Sequence, residues 1–282
     1  MFKFLQRKKS DPSKSFDSTS IRLGGWQPDP PNKTYLRFDK NTLALSPNSN
    51  IQYKSGDDVD LRPYTSPRHS QKSTSSCVAQ SLVKALEIKR IIKHGHANHI
   101  DLSVLDLYYK TRERMIPSMV DIDAGTYIST GCDILREVGV CRESVHPFSV
   151  SRVNERPPVM AFREARLNRI TSHFKIKSLG QERLDDIIFN LKAGNPVVFG
   201  TTVGEDWKAY RGGSNPLRVE TRPVGGHAMT CIGFINGLFV IENSWGSWGE
   251  DGFGYVDPSV FTHASTRDVW VIIDGSEGWV EK

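Results

Sequence analysis

Residues 71–77 read QKSTSSC, and the run that follows, VAQSLVKALEIKRIIK (78–93), holds no Gly or Pro before Gly95. A polar loop therefore turns into a helix at a single cysteine. Within the run Val78, Leu82, Ala85 and Leu86 share one face, the stripe of a helix that packs on a core. A cysteine in that place has a chemical consequence. The unpaired N–H groups of a first helical turn stabilise a thiolate, and a nearby imidazolium does so further. Cys77 is then a candidate nucleophile if the chain supplies a base; without one it is a small buried hydrophobe.

The 282 residues allow one large domain or two lobes, with 38% hydrophobic and 24% charged residues. Apolar stretches such as VWVII (269–273) are far too short for a membrane span. The first ten residues, MFKFLQRKKS, are basic but have no apolar run or small-residue cleavage site, so no ordinary secretory signal is expected. Four cysteines (Cys77, Cys132, Cys141, Cys231) form no dense framework, which suits a reducing compartment, and a cytoplasmic or particle-associated location is expected. Net charge is +5, with no Lys/Arg stripe interleaved by aromatics, so no nucleic-acid partner is expected. Residues 1–20 carry five Lys/Arg and two Asp, 5 − 2 = +3, in a Ser-rich, core-poor context. Such a tail is disordered unless an assembly partner holds it.

No internal repeat is present. GGWQPDPPNKTYLRF (24–38) reads as an extended, docked segment, and SPNSN (46–50) as a linker. The expected organisation is a tail (1–23), a docked segment and linker (24–50), a main domain (51–274) and a C-terminal tail (275–282). Helices are expected from Cys77 to about Lys93, in VLDLYYKTRERM capped by Ser103, from Thr126 to Val138 closed by Gly139, and over 182–193. Strand signals follow: PVVFGTTV, HAMTCIGF, GLFVIEN, GFGYV and VWVII. Residues 204–226, rich in Gly, Arg and Pro, read as a long surface loop. Helices first and strands later give an α+β protein with unlike halves, about 71–175 and 176–274.

Cys132 lies in a helical stripe with Ile128 and Leu135, and Cys231 in the strand AMTCIGF; both read as core. Cys141 has only His146 nearby, too few ligands for a metal. His94, His96 and His99 sit at a helix end, where histidines suit the dipole and are usually solvated. His227 differs. It follows Gly225-Gly226, which permit close backbone approach, and it opens a strand. Asn243 stands sixteen residues on, inside ENSWGSWG.

QKSTSSC, GGHAMTCIGF and ENSWGSWG together resemble the papain-like cysteine peptidases. GWQPDPP (25–31), VDLRP (59–63), LYY (107–109), Gly125-Thr126 with a helix ending REVGV, and NPVVFG (195–200) resemble the family's bacterial and viral branch. The likeness runs from about residue 24 to 274. It implies a two-lobe fold, a helical lobe and an antiparallel β-sheet or barrel lobe, with the site in the cleft between them. It implies a thiol endopeptidase acting on protein or peptide, without metal or cofactor. Cys77 would attack the scissile carbonyl, and Gln71 with the Cys77 backbone N–H would hold the oxyanion. His227 would act as base and then acid, Asn243 would orient it, and Trp245 would shield that bond from water. Gly125, Thr126 and Gly226 would contact substrate. Lys72 and Ser75 stand where the family has glycines, Val78 where it often has an aromatic, and the stretch after Trp245 is one residue short. A structural scaffold with weak or no turnover, and thiol-dependent acyl transfer such as deamidation, share these residues.

Two expectations concern geometry. The segment around Trp26 should dock on the main domain, covering the leaving-group side of the cleft. The hairpin at Asn236-Gly237 signals a two-residue turn, which pairs residues summing to 473 and sets Asn243 opposite Thr230. Side chains alternate, so Asn243 would then face away from His227. An odd-length loop, or a bulge along either strand, brings the sum to 472 and Asn243 onto the histidine's face.

Overall fold

The computed structural model describes residues 21–31, 34–38 and 58–274. The tail to residue 20, the SPNSN linker and residues 275–282 lie outside the described residues. The Gly- and Pro-free run forms α1 (Cys77–His94), which stops at Gly95, φ +80°. The Ser103 hydroxyl accepts from the Asp106 N–H and caps α2 (Val104–Met115). Helix α3 (Ile128–Glu137) starts two residues after the expected Thr126 and ends before Gly139, φ +84°, whose N–H donates to the Ile134 carbonyl. Short α4 (Val159–Ala165), then α5 (Gly180–Lys192) and α6 (Glu205–Ala209) follow.

The strands are β1 (Val59–Asp60), β2 (Ser172–Lys175), β3 (Val197–Val203), β4 (Gly225–Ile235), β5 (Leu238–Glu242), β6 (Phe253–Val256) and β7 (Asp268–Ile273). They form one sheet in the order β2-β7-β3-β4-β5-β6, with β1 paired to the far end of β4 and every ladder antiparallel. The sheet therefore draws on residues 59–60 and 172–175 as well as the expected second half. Period-two alternation sends its side chains into two cores. Val198, Ala228, Trp270 and Ile272 pack with α1, α2 and α3; Val197, Phe199, Met229 and Val271 pack on the opposite face with α5. A helical lobe thus meets an antiparallel sheet lobe, with α1 packed on β4 and β3, and α3 on β2, β3 and β7.

The segment 204–226 is not simply a surface loop. Trp207 on α6 is buried and donates through Nε1 to the Arg218 carbonyl, and Leu217 is buried beside it. Large apolar side chains inside a Gly-rich stretch pull it onto the core.

The hairpin resolves as a two-residue turn with a bulge. Ile235 faces Leu238, and both Asn236 (φ +51°) and Gly237 (φ +79°) are left-handed, as a tight hairpin turn requires. Register shifts between Cys231 and Gly233, so Gly233 faces Val240 while Cys231 faces Ile241. Ile232 is the extra residue. Beyond it Thr230 faces Glu242, and one step further Asn243 falls opposite Met229, on the histidine's side.

Asn tolerates the left-handed region better than Ala. Asn236→Ala should lower unfolding free energy by about 1 kcal/mol in a denaturant titration. A change of only a few tenths would contradict this turn.

Candidate active site

Cys77 opens α1 and is fully buried, and the N–H groups of Ala228, Val78 and Cys77 itself act on its thiol to favour the thiolate. His227 lies on β4, so Cys77 comes from the helical lobe and the imidazole from the sheet lobe. His227 Nε2 donates to Asn243 Oδ1 at 2.8 Å, and the Ser244 N–H donates to the same oxygen at 2.8 Å. That bond puts the proton of a neutral ring on Nε2 and leaves Nδ1 as its lone-pair nitrogen. Nδ1 is buried with no hydrogen-bond partner. The Trp245 indole stacks on the imidazole, centroids 4.4 Å apart and planes 22° from parallel, and is itself buried. After it, Gly246 and Gly249 take φ near +65° and +61°, and Trp248 turns inward to donate to the Trp207 carbonyl. The shortened stretch is accommodated there.

Gln71 is held from three sides. Its N–H donates to the Ser244 carbonyl, its Oε1 accepts from the Ser244 hydroxyl, and its Nε2 donates to the Thr74 carbonyl at 3.0 Å. Lys72 sits at φ +52°, where a glycine costs nothing and a lysine costs roughly 1–2 kcal/mol. Ser75 has no such strain, and Val78 is core.

The N-terminal segment crosses this site. Gln71 Nε2 also donates to the Arg22 carbonyl at 3.1 Å. The Gly24 N–H donates to the Gly226 carbonyl, Thr126 N–H to Gly25 O, and Gln27 N–H to Thr126 O. A methyl on Gly25 would lie 2.7 Å from the Cys77 sulfur and 2.6 Å from the Ser75 carbonyl oxygen. On Gly125 it would lie 2.2 Å from Gly24 O, and on Gly226 2.7 Å from Trp26 O. Residues 22–27 therefore form a strap along Gly125-Thr126 and Gly226, where the leaving-group side had been expected. Glycines on both faces allow that closeness.

Two side chains fasten the strap. The Trp26 indole lies on Gly200, where a methyl would meet it at 2.1 Å, and donates to Asp268 at 3.1 Å. Burying it removes on the order of 200 Å² of surface, about 5 kcal/mol before ordering costs. Asp29 is buried and accepts from Trp270 Nε1, the Ser129 N–H and Lys175 Nζ, while its own N–H donates to Asp268. Lys175 bridges both carboxylates.

A model of the family described as papain family cysteine protease matches residues 56–266. The chain belongs to that family. It is 30% identical over 276 residues to an uncharacterized peptidase C1-like protein of Acanthamoeba polyphaga mimivirus, covering 90% of this chain and 88% of that one. Xylellain, a cysteine protease from Xylella fastidiosa, superposes with a TM-score of 0.72 at 26% identity over 90% of this chain and 97% of its own. Procathepsin B S9 from Trypanosoma congolense shares the fold at 15% identity, TM-score 0.66, over 93% of this chain and 90% of its own. The protein is a papain-like cysteine peptidase.

Electrostatics in this peptidase reflect burial. Burial pushes the Cys77 thiol up to about 12, against the lowering effect of the Ala228 N–H. Burial pushes His227 down to about 4, against its bond to Asn243. Both groups are neutral in the strapped form. His94, His96 and His99 do not converge: His96 Nε2 meets the Pro63 carbonyl and His99 meets Asp101. Glu87 lies close to His99 and Asp101, but its oxygens already take the Ser66 hydroxyl, the Leu102 N–H and His69. Sequence reading missed Lys175, Asp268 and Asp123 as partners of the strap. Only Asp29, inside GWQPDPP, carried a signal.

Gly25→Ala in the full chain should lift the strap and speed iodoacetamide labelling of Cys77 about tenfold or more, since an overpacked methyl costs 1–3 kcal/mol. Mass spectrometry locates the label, and an unchanged rate would contradict the strap's contact. Between the ordinary imidazole value of 6.5 and about 4, the unfolded chain binds a proton that the folded His227 refuses. Lowering the pH through that window should therefore lower the melting temperature, and less so in His227→Gln.

Proposed function

We propose that this peptidase is an endopeptidase working through Cys77, His227 and Asn243 with a Gln71 oxyanion hole. The observation that carries the reading is the His227 Nε2–Asn243 bond, which leaves a buried Nδ1 free as a base, together with Cys77 at the start of α1. With Nε2–H tied to Asn243, Nδ1 takes the thiol proton as the sulfur attacks the scissile carbonyl. The oxyanion forms at the Gln71 carboxamide and the Cys77 backbone N–H. His227 returns the proton to the leaving amine, and water then cleaves the thioester with the same base. Trp245, stacked on the ring, keeps water off the His227–Asn243 bond. Gly125, Thr126 and Gly226 offer backbone groups to the substrate, the ones the strap now occupies.

The strap holds the enzyme back without being a substrate. An attacked residue must bring one carbonyl to both the sulfur and Gln71. The strap brings Gly25 to the sulfur and Arg22 to Gln71, three residues apart. A second reading, a scaffold with weak or no turnover, draws support from the same strap and from strained Lys72. We place the protein in the cytoplasm or in a particle, with an assembly partner on its basic tail. Among the described residues no helix is long and apolar enough to cross a membrane.

A peptide-library digest should show internal cleavages with the native chain that Cys77→Ala abolishes; equal digests would end the endopeptidase reading. Gln71→Ala should lower kcat roughly 100- to 1000-fold, as loss of an oxyanion donor does. Activity should need a thiol reductant and survive EDTA.

A further inference from the structure

We propose that Asp123 selects a basic residue, arginine or lysine, at the substrate position whose carbonyl is attacked. The proposal rests on the endopeptidase reading and deepens it. Arg22 of the strap supplies the measurement. Its carbonyl accepts from Gln71 Nε2 at 3.1 Å while its guanidinium Nη1 lies 3.0 Å from Asp123 Oδ2. One arginine therefore spans from the oxyanion donor to that carboxylate. A substrate residue with its carbonyl at Gln71 is the residue whose bond breaks, and its side chain has the same span to cross.

Asp123 is built to wait there. Its side chain is 12% exposed, and Oδ1 accepts from the Ser75 N–H at 3.0 Å and the Tyr108 hydroxyl at 2.6 Å. Ser75 is two residues before Cys77, and Asp123 two before Gly125, so the carboxylate joins the nucleophile's loop to the stretch that meets the substrate backbone. Both donors on Oδ1 are neutral. Arg112 also feels the Asp123 charge, but its Nη1 and Nη2 already donate to the carbonyls of Val120, Ile122 and Val153 and to Asn154 Oδ1. Once a substrate displaces the strap, Arg22 leaves with it. The partly buried charge then lacks its ion-pair partner, and a basic substrate side chain restores it. Arg22, 50% exposed, holds on only loosely, so exchange is cheap.

The test uses the full chain carrying Gly25→Ala, with two fluorogenic peptides that differ only in arginine versus its uncharged isostere citrulline at the cleaved residue. The arginine peptide should show a kcat/KM about fivefold higher or more, the size of one partly screened ion pair. Raising the salt concentration should shrink that ratio without any change to the protein. In Asp123→Asn the ratio should fall to about one, and in Asp123→Glu it should persist, with melting curves separating lost preference from lost fold. A ratio near one in the parent, or a ratio that survives both salt and Asp123→Asn, overturns the proposal and leaves the endopeptidase reading standing. Hydrolysis of neither peptide overturns that reading and the proposal with it.

Discussion

Ile232 is one residue more than the β4–β5 ladder needs, and the site depends on that surplus. The Asn-Gly turn fixes the hairpin with a tight two-residue loop, whose register alone would aim Asn243 away from His227. The bulge moves every pair beyond it by one, and Asn243 arrives on the imidazole's face within 2.8 Å of Nε2. Turn and active site make opposite demands on one strand pair, and a bulge is the local device that satisfies both. Trp245, two residues on from Asn243, then stacks on the ring.

A second constraint is the absence of side chains where strap and cleft touch. Gly25, Gly125, Gly200 and Gly226 each leave a place that strap or cleft atoms fill. Gly25 lies against the Cys77 sulfur there, and burial holds the thiol neutral as it holds the His227 imidazole neutral. A thiolate–imidazolium pair needs the water or substrate dipoles that return when the strap lifts. Trp26 and Asp29 make lifting costly, one by burial and the other through the Asp29–Lys175–Asp268 cluster. In that cluster two carboxylates share a single lysine, and burial beside Asp29 raises Asp268 above the ordinary carboxylate range.

Much of this was legible in the sequence because its signals are local. Ser103 three residues before Asp106 announces a cap, and Gly139 a left-handed stop. The need for a bulge could be argued from parity alone, although its place at Ile232 could not. What escaped was contributed by distant strands. Lys175 on β2 and Asp268 on β7 meet Asp29 only after the sheet assembles in the order β2-β7-β3. The loop 204–226 misled because its Gly, Arg and Pro content masks Trp207 and Leu217, whose burial decides its course. The strap's path was misjudged for a related reason, since glycines advertise flexibility and not what passes over them.

The central claim is that a strap, and not a defective site, keeps Cys77 quiet. Reaction with an irreversible peptidyl electrophile, followed by intact mass, peptide mapping and amide hydrogen exchange, addresses it most directly. The account predicts one adduct, on Cys77 alone of the four cysteines, together with faster exchange of the Gly24 and Gln27 amides in the modified protein. An adduct on Cys132, Cys141 or Cys231, or modification of Cys77 with those amides still protected, would contradict it.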